Sequence, residues 1–131
     1  VDKKDIELVY ESNLEEFEIN IDPVKIEQVL NNLISNAIKF SFPNTTIKVF
    51  VKKGINELLF GVKDTGQGIP ATEINKLFIP FEKLSVKSTA GEKSTGLGLV
   101  IVKKIMEAHK GRVEVDSQQG KGTTFTCTLP L

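Results

Sequence analysis

The sequence predicts an α/β fold, a two-layer α/β sandwich in which a mixed, mostly antiparallel sheet is packed on one face by about three helices. Strand-like runs come in pairs instead of alternating one-for-one with helices, which argues against a doubly wound sheet. Two long segments place apolar residues at helical spacing. The 131 residues, 40% of them hydrophobic, suit a single core and are too few for two. Residues 1–131 are therefore expected to form one domain.

Each element has a local reason. Residues 6–11 and 17–21 read as short strands around the turn-prone Ser12-Asn13-Leu14. Asp22 is a natural N-cap and Pro23 suits the first helical position, so a helix is predicted over residues 23–40, ending before Pro43-Asn44. Residues 47–51 and 58–63 are strands joined by a hairpin around Lys53-Gly54-Ile55-Asn56, and Asp64 closes the second. A short helix is predicted over residues 71–77. Residues 85–95 are small, polar and without periodicity, as expected of a mobile lid. Apolar residues at 97, 101, 102, 105, 106 and 108 predict a second long helix over residues 97–109, ending near Gly111. Strands over residues 112–116 and 123–129, joined by Gln118-Gln119-Gly120-Lys121-Gly122, complete the chain.

Seventeen basic residues balance seventeen acidic ones, so no global field favours nucleic acid or an anionic membrane, and any anion site must be local. Cys127 is the single cysteine. Strand alternation places it beside Phe125 and Leu129 as a core thiol. No disulfide within the chain and no zinc-like spacing is available, which suits a reducing, cytoplasmic setting. No apolar run reaches the length of a membrane span, and Val1-Asp2-Lys3-Lys4-Asp5 does not read as a signal peptide.

Asn32, Asn36 and Lys39 fall within roughly 60° of one another on a helix, bordering the apolar stripe of Ile26, Val29, Leu30, Leu33, Ile34 and Ala37. Asparagine is a mediocre helix former, so two of them at this spacing need a reason. One is a solvated face. The other is a row of neutral, hard oxygen ligands for Mg²⁺ beside an ammonium that holds phosphate.

Two glycine clusters flank the predicted lid. Asp64-Thr65-Gly66-Gln67-Gly68-Ile69-Pro70 follows a strand: its carboxylate suits an exocyclic amine such as that of adenine, and its glycines allow close approach to a flat ring, although the same residues also make a good turn. Ser94-Thr95-Gly96-Leu97-Gly98-Leu99 opens a helix, where free N–H groups and the helix dipole favour phosphate. A flexible loop ending in a cap is the alternative, and Gly98 inside the first turn counts against it. Gly91-Glu92-Lys93-Ser94-Thr95 only imitates a P-loop, the dinucleotide fingerprint lacks its strand-turn-helix setting, and the eukaryotic kinase signatures are absent.

In this order the motifs resemble those of the catalytic, ATP-binding domain of sensor histidine kinases, which has the Bergerat fold shared with gyrase-type ATPases. Residues 22–40 are similar to the N box, residues 64–69 to the G1 box, Phe78-Ile79-Pro80-Phe81 to the F box and residues 95–99 to the G2 box; Gly111-Arg112-Val113 and residues 120–125 match the closing strands. The resemblance implies that Asn36 coordinates Mg²⁺ on the ATP phosphates, Asn32 supports that shell and Lys39 meets a phosphate. It implies that Asp64 holds the adenine amine, that Gly66 and Gly68 shape the pocket and that Thr124 lies near the base. Thr95, Gly96, Leu97 and Gly98 would meet the phosphates, with Ile69, Phe81 and Leu99 also in the nucleotide site. Lys83 would reach the γ-phosphate, and Lys87 and Lys93 would add charge to the lid. Ser94 departs from the family's glycine there.

The implied activity is transfer of the ATP γ-phosphoryl group to a histidine on a separate dimerisation domain, and onward to an aspartate of a response regulator. His109 lacks the setting of the acceptor. The isolated domain is expected to be monomeric, without nucleic acid or membrane contacts of its own, which leaves open a membrane anchor elsewhere in a full-length protein. Gyrase-type and MutL-type ATPases carry a glutamate to activate water where this chain has Asn32, and an amide does not take that proton. A nucleotide-dependent interaction module without catalysis is the alternative from another class.

Overall fold

The computed structural model describes residues 6–12, 21–79 and 97–131. Its strands are β1 (Glu7–Ser12), β2 (Thr46–Gly54), β3 (Glu57–Asp64), β4 (Arg112–Gln118) and β5 (Gly122–Pro130), and the helices are α1 (Pro23–Phe40) and α2 (Gly98–Ala108). A short 3₁₀ helix spans Ala71–Lys76. The strands form one five-stranded sheet in the order β1-β2-β3-β5-β4. β1 runs parallel to β2, and the remaining pairs are antiparallel.

One parallel pair among antiparallel ones makes the sheet mixed, as the sequence reading expected. Ile21 lies outside any strand, and residues 17–20, expected to form a strand, fall outside the described residues. β1 connects to its parallel neighbour β2 by way of α1, because parallel neighbours need a long crossover.

α1 begins where Asp22 Oδ1 accepts hydrogen bonds from the N–H groups of Val24 (3.1 Å) and Lys25 (3.3 Å), with Pro23 in the first turn. Ile26, Val29, Leu33 and Ala37 are its buried residues, a helical spacing that turns one stripe onto the sheet. The helix stops at Ser41, whose N–H donates to Ala37 O at 3.0 Å before the chain turns extended ahead of Pro43. Val102, Ile105 and Met106 of α2 join this layer. Opposite them lie Ile47, Val49, Leu58, Phe60, Val62, Phe125, Cys127 and Leu129 from one face of the sheet. Burying each such side chain stabilises the fold by roughly 1.5–3 kcal/mol. Cys127 is fully buried, and desolvation pushes its thiol up to about 12; it is a packing group, as predicted.

α2 ends in a left-handed turn. Lys110 N–H donates to Glu107 O (3.0 Å), Gly111 N–H donates to Met106 O (2.8 Å), and Lys110 takes φ 60°. A Cβ on Gly111 would lie 2.2 Å from Thr128 O, so this glycine allows the turn to sit against β5. The left-handed position itself is filled by a lysine, at a cost of roughly 1 kcal/mol relative to glycine. Lys110→Gly is therefore expected to raise unfolding stability by about that amount, read from a denaturant midpoint at unchanged m-value.

Candidate functional site

Asn32, Asn36 and Lys39 lie partly buried on α1 beside the buried Leu33 and Ala37. The Asn32 Nδ2 group donates to Gly98 O, the carbonyl of the first residue of α2, at 3.2 Å. Asn32 thus has a protein partner 66 residues away, which a solvated stripe does not require. Lys39 is the basic residue of the last helical turn, where it also complements the helix dipole.

At the end of β3, Asp64 is 5% exposed. Desolvation raises its pKa, and hydrogen bonds from the backbone N–H groups of Gly66 and Thr123 partly oppose the rise; the Gly66 bond to Oδ1 measures 2.9 Å. The following loop is sewn to the protein on two sides. Gln67 N–H donates to Phe40 O at the end of α1 (3.1 Å), and Gly120 N–H in the β4–β5 turn donates to Gln67 O (2.7 Å). A Cβ on Gly66 would lie 2.1 Å from Phe40 O. One on Gly68, which has φ +71°, would lie 2.1 Å from Gln118 O. Both glycines are thus required by neighbouring protein backbone, a reason separate from the approach of a ring.

The buried Ile69 donates its N–H to Ser117 Oγ at 2.8 Å. Ser117 Oγ also hydrogen-bonds Gly122 O (3.1 Å) and Thr123 Oγ1 (2.8 Å). Thr123 is buried and in register with Asp64, whereas Thr124 pairs with the exposed Lys63 and Asp116. Successive side chains point to opposite faces of a sheet. Thr124, expected near the base, is therefore on the face away from the helices, and Thr123 shares the Asp64 side. The β3–β5 register, which strand alternation alone does not give, distinguishes them. Ser117 had no sequence signal.

At the start of α2 the N-cap position is Leu97, which makes no side-chain cap hydrogen bond. Leu97, Gly98 and Leu99 are partly buried. Among the described residues, a Cβ on Gly98 would meet nothing closer than Asn32 Cγ at 4.0 Å, so none of them demands a glycine there. The first-turn N–H groups of a helix have no intrahelical partner, and with the dipole they favour an anion. Phe81, Lys83, Lys87, Lys93, Ser94, Thr95 and Gly96, with the predicted lid, lie outside the described residues.

His109 sits at the other end of α2. Its Nε2 accepts from Asp22 N–H at 3.1 Å, which leaves Nδ1–H to donate to Ile105 O at 2.9 Å. The neutral ring thus joins the end of α2 to the start of α1 with both nitrogens engaged. Among the described residues, no group of three or more His, Cys, Asp or Glu side chains could hold a metal, and no helix is long and apolar enough to cross a membrane.

Residues 21–131 match the model of the family described as histidine kinase-, DNA gyrase B-, and HSP90-like ATPase. The sensor protein kinase WalK of Staphylococcus saprophyticus is 40% identical over 129 residues, covering 97% of this chain and 21% of that protein. The sensor histidine kinase WalK of Bacillus subtilis is 43% identical over 114 residues, covering 86% of this chain and 19% of that protein. This chain therefore spans about a fifth of the length of these relatives. Among solved structures, the nucleotide-free catalytic domain of histidine kinase ThkA superposes with a TM-score of 0.81 at 31% identity, covering 98% of this chain and 81% of that one. The mycobacterial sensor histidine kinase MprB gives a TM-score of 0.85 at 26% identity, covering 98% and 86%. The chain belongs to the histidine kinase-, DNA gyrase B-, and HSP90-like ATPase family, and within it is an ATP-binding catalytic domain of the sensor histidine kinase type.

Proposed function

We propose that this domain binds Mg-ATP between the C-terminal half of α1, the end of β3 and the start of α2, and transfers the γ-phosphoryl group to a histidine on separate dimerisation helices. Asp64 carries the reading. A buried carboxyl whose pKa is raised by desolvation opposes folding, and recognition of an adenine amine is the benefit that offsets this. Thr123, whose N–H helps hold Asp64, takes the place given to Thr124 beside the base. Gly66, Gly68 and Ile69 fix the loop that carries the base.

Mg²⁺ binds with few protein ligands, keeps several waters and uses substrate phosphates, so an amide row without a carboxylate cluster fits it. Asn36 would hold it and Asn32 would turn its oxygen to the same shell, because the Asn32 nitrogen is engaged by Gly98. Bound with ATP, the ion supplies positive charge to the phosphates. Lys39, the first-turn N–H groups of Gly98 and Leu99, and Lys83 with Thr95 and Gly96 would complete the phosphate contacts. A neutral imidazole nitrogen is already nucleophilic, so these residues need only place and neutralise the transferring group. The bond from the γ-phosphorus to the bridging oxygen breaks as the P–N bond forms, and ADP leaves. An aspartate of a response regulator would then receive the phosphoryl group.

Mixing the domain with the dimerisation helices of its own protein and radiolabelled ATP tests the proposal. Acid-labile, base-stable label on those helices is the expected result. ATP binding without such label identifies an interaction module instead.

A further inference from the structure

We infer that Asn32 is a positioning residue that holds the phosphate-facing start of α2 by donating its side-chain N–H to the Gly98 carbonyl. The inference rests on the nucleotide-site reading above and adds to Asn32 a task separate from the metal. The start of α2 needs such a support. Leu97 at its N-cap position makes no side-chain cap hydrogen bond, its first residue is the poorest helix former after proline, and among the described residues a Cβ there would find no neighbour closer than 4.0 Å. The 3.2 Å bond from Asn32 reaches this weak point from a helix whose own start is capped and whose inner stripe is buried.

The acceptor matters as much as the distance. A carbonyl oxygen has two lone pairs, so Gly98 O can take the Asn32 proton as well as the N–H four residues on. Gly98 C=O belongs to the same peptide unit as Leu99 N–H. A donor on the oxygen polarises that unit and strengthens the N–H on its other side. Asn32 thus both fixes the first turn and improves one of the donors that would meet phosphate. The geometry assigns the amide nitrogen to α2 and leaves the oxygen for the proposed nucleotide site.

Two measurements separate this task from metal support. In the nucleotide-free protein, hydrogen exchange at Ile101 and Val102, the first amides bonded within α2, should quicken by roughly three- to tenfold in both Asn32→Ala and the isosteric, donor-less Asn32→Asp. Asn36→Ala should leave it unchanged. In EDTA, ADP affinity should fall by a similar factor in Asn32→Ala while the melting temperature hardly moves. Unchanged exchange in both Asn32 variants overturns the tether. Exchange that quickens with undiminished metal-free ADP affinity overturns its positioning role. Wild-type protein that binds no ADP in either buffer overturns the nucleotide reading, and the exchange data still decide whether the tether exists.

Discussion

Asn36→Ala is expected to abolish the contribution of Mg²⁺ to ATP affinity, with a loss on the order of a hundredfold in magnesium and little change in EDTA. Asn36 lies one turn beyond Asn32 on the same side of α1 and next to the buried Ala37. The substitution removes the amide oxygen and leaves the helix intact, because alanine is the better helix former by up to about 0.7 kcal/mol. A fall in affinity therefore reports on the site and not on unfolding. Calorimetry with and without the metal checks it. Equal affinity of variant and wild type in magnesium would remove Asn36 from the site.

Asp64→Asn should weaken ATP binding by roughly ten- to a hundredfold, the range for losing a charge-assisted hydrogen bond. It should also narrow discrimination against GTP, because an amide can donate to the guanine carbonyl where a carboxylate can only accept. The same variant has a stability signature. Burial raises the folded-state pKa of Asp64, so the unfolded chain loses this proton first as pH rises. The protonated carboxyl is compatible with folding below the ordinary carboxylate range, and that advantage is lost as pH climbs through the raised folded value. Denaturation of both proteins across this range should show the stability difference moving in favour of Asp64→Asn as pH increases. A difference independent of pH would show that Asp64 ionises as freely in the fold as in the unfolded chain.

Much of this was legible because its causes are local. Asp22, Pro23 and the spacing of Ile26, Val29, Leu33 and Ala37 predicted α1 to its observed ends, since cap, stripe and stop lie within one short segment. β2 to β5 extend one to three residues beyond several predicted ends because ladder pairing continues past the alternating core residues. The parallel partner of β1 depends on a crossover, and no short-range signal encodes that. The face on which Thr124 lies was not legible because alternation shows two faces without saying which one Asp64 shares, and register decides it. Gly66 and Gly68 read as openings for a ring, whereas the carbonyls of Phe40 and Gln118 that exclude a Cβ come from distant segments. The bond between Asp22 and His109 spans 87 residues and left no trace in either motif.

The bond from Asn32 to Gly98 also bears on how the family could diversify. The chemistry of a water-activating glutamate at position 32 looks one substitution away. That step would place an acceptor against the Gly98 carbonyl and, on the tether inferred above, release the start of α2 in the same stroke, so the new base would arrive with the proposed phosphate donors loosened. A lineage moving from phosphoryl transfer to hydrolysis would first need another support for that helix start. The order of mutations, and not only their identity, is then constrained by a single amide proton.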